Sequence, residues 1–255
     1  MPRFPEDRIT VVPSEPQYAD EMAAHMARVY GMANGDFDQI FTAEMYRQHI
    51  AVFPEGQFTA FHGDQVVGVT SSMRIRFDPA RPMNEPWWVT VGEGWLPHVP
   101  DGEWMYGVES NVHPDYQGQG VGGKLIEARF DTDKLLNLRG MVAGSTLKDY
   151  GLHAREVTPD VYVRGVAEGV YFDSNLSKQI IKGFHPIFGA SIPNYVEEES
   201  SLGWGNVIVW RNPDYDPDLG ALAAMPEDKR NRVYTRALRV RGDTSTRPQR
   251  ISLKA

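Results

Sequence analysis

The sequence predicts a mixed α/β or α+β fold built around one large domain. Strand-like and helix-like segments alternate along the chain without a visible repeat period. The 255 residues, 41% hydrophobic and 24% charged, suffice for such a domain and argue against wholesale disorder. No apolar run approaches the roughly 18 residues that a membrane span needs. The absence of Cys excludes disulfides, thiolate metal sites and cysteine nucleophiles.

The charge distribution separates an acidic body from a basic tail. Residues 226–255 carry nine basic and three acidic residues, whereas the first 225 residues carry 17 basic and 31 acidic ones. An acidic body disfavours nucleic acid as a partner and mildly favours cationic small substrates. We interpret the basic tail as a solvated helix face, with contacts to phosphate or to an acidic subunit as alternatives. The N-terminus lacks the apolar core of a secretory signal, so we expect a cytoplasmic protein.

Apolar periodicity and turn residues define the elements of the first hundred residues. β-branched or alternating runs predict strands, and apolar residues at helical spacing predict helices. Gly63-Asp64 has the composition of a tight hairpin turn. The predicted elements are a strand over Ile9–Val12, a helix from Ser14 or Glu15 to Tyr30, a helix over Ala43–Val52, hairpin strands over Gln57–His62 and Gln65–Phe77, and a little strand around Trp88–Val91 within an irregular stretch at 78–101.

The same criteria apply to the rest of the chain, where one long segment lacks clear periodicity. We interpret this segment, Lys148–Tyr171, as an insertion. The other predicted elements are strands over Glu103–Val112 and Gly140–Gly144, helices over Lys124–Leu136 and Ser174–Ile181, strands over Tyr195–Glu199 and Asn206–Trp210, and a final helix from Pro226 to near Gly242.

A strand followed by a glycine-dense turn and a helix is the segment most informative about function. Glycines let a ligand approach the backbone, and the first turn of a helix offers unpaired N–H groups. Residues 117–123 therefore predict a phosphate-binding loop. Gly118-x-Gly120-x-x-Gly123 formally matches the dinucleotide fingerprint, but four residues separate the strand from the glycines and no acidic residue follows at the expected distance. A P-loop fails because no Gly-Lys-Ser/Thr follows.

Another pattern fits this spacing better. Val112-x-Pro114-x-Tyr116-Gln117-Gly118-x-Gly120-x-Gly122, followed by Leu125-Ile126, resembles motif A of the GNAT superfamily of N-acetyltransferases. Gly183-Phe184 resembles the end of motif B. Some bacterial proteins carry a GNAT domain that precedes a nitrilase-like amidohydrolase domain. Further stretches of this chain resemble those GNAT domains, namely Leu138–Gly144, Asn194-Tyr195 and Trp210–Pro213. No such second domain fits here.

The resemblance implies a fold and a domain organisation. We expect a splayed, mixed and mostly antiparallel sheet flanked by helices, which opens to admit acetyl-CoA. The GNAT domain would span residues 7–213, with insertions near 78–102 and 147–172 that build the acceptor pocket or a dimer contact. Residues 214–255 would form a basic C-terminal extension with a helix.

The resemblance also implies how acetyl-CoA is held. Backbone groups of Asn111, Val112 and His113, at the end of the splayed strand, would pair with the pantetheine amides. The backbone amides of the loop would hold the pyrophosphate, and they belong to Gln117, Gly118, Gln119, Gly120, Val121 and Gly122.

The resemblance to the GNAT superfamily also implies candidate catalytic residues. Glu109 would serve as the base, directly or through a water, and Tyr106 occupies a place where some GNAT enzymes carry a base. Many GNAT enzymes place a Tyr four residues before the motif B Gly, but here Gln179 occupies that position. Tyr171 or Tyr150, in the insertion, would then substitute as the acid. The seven His residues show no ligand spacing, so no metal site is expected.

The leading hypothesis is therefore an acetyl-CoA-dependent N-acetyltransferase that acts on a primary amine of a small molecule or peptide by direct attack. A non-catalytic acyl-CoA sensor or assembly module is the alternative, and a dinucleotide-binding oxidoreductase is a third interpretation. We expect no membrane partner, and a homodimer remains open.

Overall fold

A computed structural model describes residues 3–31 and 39–222 of the chain. Seven strands form one sheet in the order β1-β2-β3-β4-β5-β7-β6. All neighbouring strands pair antiparallel except β4 and β5, which pair parallel. This arrangement confirms the predicted mixed, mostly antiparallel sheet. The strands are β1 (Ile9–Pro13), β2 (Phe58–His62), β3 (Gln65–Ile75), β4 (Trp104–Val112), β5 (Gly140–Thr146), β6 (His185–Ile192) and β7 (Gly205–Arg211).

Helices cover both faces of the sheet. One face carries a core cluster that includes Met22, Phe61 and Tyr106, and the other carries a cluster that includes Met105 and Leu125. The helices in the described ranges are α1 (Ala19–Val29), α2 (Ala43–Val52), the single turn α3 (Trp87–Thr90), α4 (Val121–Leu135), α5 (Pro159–Ala167) and α6 (Leu176–Ile181). Helices α1 and α2 pack on the first face, and α4 packs on the second.

Local chemistry explains several element boundaries. The Thr42 side chain accepts a hydrogen bond from Met45 N at 3.2 Å and caps the start of α2. Pro16 opens a 3-10 turn that leads into α1, so the regular helix begins later than the sequence pattern suggests. Gly63 has a φ of 58° in the hairpin between β2 and β3, a conformation that glycine adopts at low cost.

Strands β4 and β5 separate soon after they pair. Their register contains two positions, Met105↔Met141 and Tyr106↔Val142. Since β4 continues to Val112 and β5 to Thr146, both strands extend beyond this contact. We call the space between them beyond Tyr106 and Val142 the β4–β5 gap. It opens toward the end of β4 from which the glycine-rich loop departs.

One strand prediction in the first insertion was wrong. The strand predicted around Trp88–Val91 is the helical turn α3, in which Thr90 N donates to Pro86 O at 3.0 Å. The strand-favouring indole rings serve there as packing surfaces against Phe41. The segment at 148–171, which we interpreted as an insertion, contains the nine-residue helix α5. So short a helix displays too few turns for its apolar period to stand out.

The strand predicted over Tyr195–Glu199 was also wrong. The edge strand is β6, at His185–Ile192, and residues 195–199 form no strand. Pro186 and Gly189 obscured β6, since both residues are depleted in strands. The register of β6 with β7 shifts between Pro186 and Ser191, as a bulged edge strand allows.

The described chain ends by packing back onto the domain. Leu222 N donates to Leu136 O at 2.8 Å, and Arg74 Nη1 donates to Leu222 O at 2.8 Å. The helix predicted from Pro226 to Gly242 lies outside the described residues. None of the helices within 3–31 and 39–222 combines the length and apolarity required to cross a bilayer.

Candidate functional site

The glycine loop (residues 117–123) joins the end of β4 to the start of α4. A 3-10 turn at Pro114–Tyr116 follows the strand, and Gly118 and Gly120 then adopt φ values of 76° and 84°. Only glycine adopts this left-handed conformation freely. The turn brings the chain into α4 at Val121, three residues before the predicted start at Lys124. Gly120 is therefore the N-cap, and Gly122 and Gly123 lie in the first turn of the helix.

The surface of this loop is open. A Cβ added at Gly118, Gly120 or Gly123 would meet no atom of the described residues within 4 Å. At Gly122 it would lie 3.7 Å from Val112 Cγ2 and 4.0 Å from Lys182 Nζ, which is ordinary contact. The first N–H groups of a helix have no partner within the helix, and they lie at its positive end. The loop thus presents donors and free space together, as an anion site requires.

The predicted loop residues divide into backbone and side-chain roles. Gln119 Nε2 donates to Asp115 O at 2.9 Å, and Gln117 Nε2 lies 3.5 Å from Val112 O. These side chains brace the turn. Gln117 N itself donates to Pro114 O at 3.2 Å, so this predicted pyrophosphate contact is engaged within the loop, and the amides of residues 118–122 face outward. The loop also borders a surface cleft of about 550 Å³, which is lined by Arg28, Gln65, His113, Asp115, Tyr116 and Gln119.

The backbone of β4 has one side bound to β3 and the other side directed at the β4–β5 gap. His113 N donates to Val67 O at 2.9 Å, so this predicted pantetheine contact is engaged with the neighbouring chain. Backbone groups of alternate residues in an antiparallel strand point to the same neighbour. Asn111 therefore faces β3 as well, whereas Val112 and Ser110 direct their backbone groups to the gap. Sequence reasoning missed Ser110, which is exposed in β4.

A β-bulge in β4 orients Glu109. The register passes from Ser71↔Glu109 to Ser72↔Gly107, which leaves Val108 as the extra residue. The Val108 carbonyl instead accepts a 2.8 Å hydrogen bond from Trp87 Nε1 of α3. The bulge directs the Glu109 side chain to the face covered by α1 and α2.

Glu109 is buried among polar partners that come from three elements. Its Oε1 accepts from Tyr46 Oη at 2.6 Å and lies 3.4 Å from Ser71 Oγ, and its Oε2 accepts from Asn111 Nδ2 at 2.9 Å. We call these four residues the Glu109 pocket. Burial raises the pKa of Glu109 to about 7, against the opposing effect of the hydrogen bonds from Tyr46 and Asn111. A carboxylate with this pKa is suited to general-base catalysis at neutral pH.

Tyr106 lies beside a tyrosine that the sequence analysis did not select for catalysis. Its Oη is 3.4 Å from Tyr195 Oη, and both side chains are buried on the same face as Glu109. Tyr195 packs on Gly144 of β5, where an added Cβ would lie 2.0 Å from its Oη. Burial raises the pKa of Tyr106 to about 12, so the phenol is protonated at neutral pH.

Tyr171 and Tyr150 lie elsewhere. The Tyr171 ring packs against His153 and Tyr162, with centroid distances of 4.7 Å and 5.4 Å, and Tyr150 also packs against Tyr162. This group belongs to the core on the α4 face, whereas Glu109 and Tyr106 face α1 and α2. The structure does not bring Tyr171 together with the other predicted catalytic residues.

Two buried residues of opposite charge on α4 were also missed. Arg129 and Asp133 are 5% and 0% exposed, one helical turn apart on the face toward the sheet. Arg129 Nε and both Asp133 carboxylate oxygens have no hydrogen-bond partner in the described ranges. A Cβ added at Gly107 would lie 2.8 Å from Arg129 Nη1, so the guanidinium lies against β4 at the start of the β4–β5 gap. The only available sequence signal was a charged residue on the apolar side of a helix.

No cluster of three or more His, Cys, Asp or Glu side chains suited to a metal ion occurs within 3–31 and 39–222. His25, buried behind Asn111, has its pKa lowered to about 4 by burial and stays neutral. Its ring stacks on that of His113 with a centroid distance of 6.3 Å. These imidazoles therefore line the site without forming a ligand set.

Sequence comparison identifies a family and two relatives. The family model described as "Acetyltransferase (GNAT) family" matches residues 26–153, half of the chain. The "Probable hydrolase YhcX" of Bacillus subtilis is 35% identical over 171 residues, which cover 66% of this chain and 33% of YhcX. The chain thus spans about a third of that relative. The "Uncharacterized N-acetyltransferase YkwB" of the same organism is 28% identical over 69% of this chain and 77% of YkwB.

Structure comparison identifies two solved domains with the same fold. The "GphF GNAT-like decarboxylase in complex with isobutyryl-CoA" superposes with a TM-score of 0.63 and 21% identity, over 80% of this chain and 99% of that one. The loading GNATL domain of CurA from Lyngbya majuscula superposes with a TM-score of 0.64 and 17% identity, over 80% of this chain and 98% of that one. At these identities the likeness concerns the fold.

Proposed function

Because the chain belongs to the acetyltransferase (GNAT) family, we propose that it transfers an acyl group from coenzyme A to a primary amine of a small molecule or peptide. In the simplest case the acyl group is acetyl and the donor is acetyl-CoA. The catalytic unit would be residues 7–213, and we expect it to act in the cytoplasm.

The observation that carries this proposal is the β4–β5 gap, which opens directly beside the glycine loop. The strands pair at Met105↔Met141 and Tyr106↔Val142 and then diverge, so part of the β4 backbone has no strand partner on this side. Unpaired backbone groups inside a protein need partners. An extended chain with amide groups, such as pantetheine, supplies them, and the loop amides lie where its pyrophosphate would follow.

The residues present fit coenzyme A. The amides of residues 118–122 would hold the pyrophosphate in the open space around Gly118 and Gly120. Val112 and Ser110 would pair with pantetheine through their backbone groups, and Lys182 lies close enough to Gly122 to contact phosphate. Bound acyl-CoA would supply the acyl group as an activated thioester.

The Glu109 pocket supplies the base. A primary amine is protonated at neutral pH and must lose a proton before it attacks the thioester carbonyl. Glu109, with its pKa near 7, would accept that proton directly or through a water. Tyr46 and Asn111 hold the carboxylate with two hydrogen bonds, so its orientation is set before the amine arrives.

The tyrosine pair of the gap supplies a donor for the leaving thiolate. Tyr106 and Tyr195 have raised pKa values and remain protonated, and they lie at the end of the gap where β4 and β5 meet. We assign the acid role to this pair in place of Tyr171. Trp87 and the excursion that carries it pack on the bulge and would form a wall of the acceptor pocket.

A non-catalytic acyl-CoA sensor is the second candidate function. One observation favours it: Gln179 stands where many GNAT enzymes carry a tyrosine, and its Oε1 is buried without a partner in the described residues. A sensor would bind coenzyme A in the same gap without turnover.

Two measurements test these functions on the full chain. Calorimetric titration with CoA and acetyl-CoA should give saturable binding, and release of free thiol in the presence of an amine panel should follow catalysis. Binding without thiol release, with every amine of the panel, would favour the sensor. Absence of binding to either compound would refute both functions, and protection by NAD(P) instead would favour an oxidoreductase.

A further inference from the structure

We infer that the acyl group bound in the β4–β5 gap carries a carboxylate, and that Arg129 recognises it. The acyl donor would then be the coenzyme A half-thioester of a short dicarboxylic acid, such as malonyl-CoA or succinyl-CoA. This inference deepens the proposed function and rests on it, since it concerns the acyl group of the same site.

The position of Arg129 is the first step. Pantetheine would run along β4 from Val112 toward the bulge at Val108, so the acyl group would lie next to Gly107, where β4 and β5 begin to diverge. Arg129 Nη1 is 2.8 Å from where a Cβ of Gly107 would stand. The absence of a side chain at Gly107 leaves room for this guanidinium.

The hydrogen-bonding state of Arg129 is the second step. The side chain belongs to a residue only 5% exposed, and its Nε has no partner in the described residues. A guanidinium has five N–H donors, and burying them without acceptors costs free energy. Carboxylate is the group that fits it best, since it accepts two parallel hydrogen bonds from the planar fork.

The charge balance around Arg129 is the third step. Burial lowers the pKa of Arg129 only to about 10, so it remains positive at neutral pH. Asp133 is its acidic neighbour on α4, but burial raises the pKa of Asp133 well above its usual value. Glu109 also acts electrostatically on Arg129, but its carboxylate is hydrogen-bonded to Tyr46 and Asn111. Both Asp133 oxygens lack a hydrogen-bond partner in the described residues, so Asp133 gives the guanidinium no acceptor, and a carboxylate on the acyl group would supply one.

The test compares shape-matched ligands on the full chain. Malonyl-CoA ends in a carboxylate where isovaleryl-CoA has an isopropyl group of similar shape. We expect the wild type to bind malonyl-CoA or succinyl-CoA about 10- to 100-fold more tightly than isovaleryl-CoA or acetyl-CoA, as a charge-assisted pair predicts. Arg129→Met should abolish this preference and retain binding of CoA itself.

Two further variants distinguish loss of carboxylate recognition from misfolding of Arg129→Met. Arg129→Met leaves Asp133 without its counter-charge, so the double variant with Asp133→Asn removes both charges. Gly107→Ala retains the arginine but displaces it, and it should reduce the preference while CoA binding persists. Arg164→Met, at an exposed arginine of α5 that packs on Phe188, is the matched control and should keep the wild-type preference.

The outcomes separate this inference from the proposed function. Equal affinity for malonyl-CoA, succinyl-CoA and acetyl-CoA in the wild type would overturn the role of Arg129 and leave acyl transfer standing. A preference that persists in folded Arg129→Met and in the double variant would also overturn it. Failure to bind CoA in any form would overturn the proposed function together with the inference.

Discussion

The glycine loop consists of seven consecutive residues, whereas the Glu109 pocket draws on α2, β3 and β4 and is closed by Trp87 of α3. The loop works through backbone amides at one helix start, so its chemistry depends on residue types that allow a particular backbone path. The pocket works through a side chain whose pKa depends on burial and on partners from distant segments. The donor side of the site, where acyl-CoA would bind, is therefore encoded by consecutive residues. The acceptor side, where the amine would bind, is built from segments that are distant in sequence.

The largest effect should come from Glu109→Gln, which tests the acceptor side. Removing the base should lower kcat by about 10²- to 10⁴-fold, and the remaining rate should lose the rise with pH through about 7 that the wild type shows. CoA affinity should not change. Steady-state rates across pH 5.5–9 measure this, and Glu103→Gln, at an exposed residue paired with Arg139, is the control. Wild-type pH dependence in the variant would exclude Glu109 as the base.

The same substitution should stabilise the protein above neutral pH. Glu109 has a folded pKa near 7 against a usual value of 4.5, so its stabilising contribution is complete below 4.5 and is lost as pH rises through 7. Glutamine carries no charge to bury, and the free Oδ1 of Asn111 is available to accept from its amide. We expect a gain of about 1–3 kcal/mol in the free energy of unfolding at pH 8 and little gain at pH 5. Urea titrations at both pH values measure it; equal gains would contradict the assigned burial effect.

The next effect should come from Gly122→Val, which tests the donor side. Gly122 does not need a positive φ, and a small side chain meets no close contact there, so the fold should persist. The side chain should occupy phosphate space and weaken CoA binding by roughly 100-fold, the loss of one or two charge-assisted hydrogen bonds. Glu127→Val, at an exposed position of α4 outside the glycine loop, is the control. Calorimetry with CoA measures both variants, and unchanged affinity in Gly122→Val would refute the loop assignment.

The smallest effect should come from Tyr46→Phe, which leaves Glu109 in place and removes its 2.6 Å hydrogen bond. That bond stabilises the carboxylate, so its loss should raise the pKa of Glu109 by about one unit and shift the rise of kcat to higher pH. Activity at pH 9 should recover almost fully. Tyr150→Phe, whose hydroxyl donates to Val157 O on the other face, should leave the profile unshifted. A uniform loss at all pH values would mean that Tyr46 has a different role.

The local part of the fold followed the sequence closely. The bounds of the hairpin around Gly63, of helix α2 and of strand β4 were predicted within about two residues. Their signals, turn residues and apolar periodicity, lie within consecutive positions of the sequence. Elements that depend on tertiary contacts were missed. Helical turn α3 forms where Trp87 N donates to Tyr195 O at 2.8 Å and Trp87 Nε1 reaches the bulge, and neither partner is close in sequence.

By itself the sequence determined the glycine loop, the family resemblance and the candidacy of Glu109. Glycines at this spacing permit the left-handed turn whatever surrounds them. Only the tertiary structure decided the chemistry of the side chains. Tyr195 reaches Tyr106 across 89 positions of sequence, and Arg129 meets Gly107 because α4 packs across β4. Burial and electrostatic interaction depend on distance in space, so the shifted acidities exist only in the folded chain. The same holds for the buried Arg129 Nε, which has no hydrogen-bond partner in the described residues.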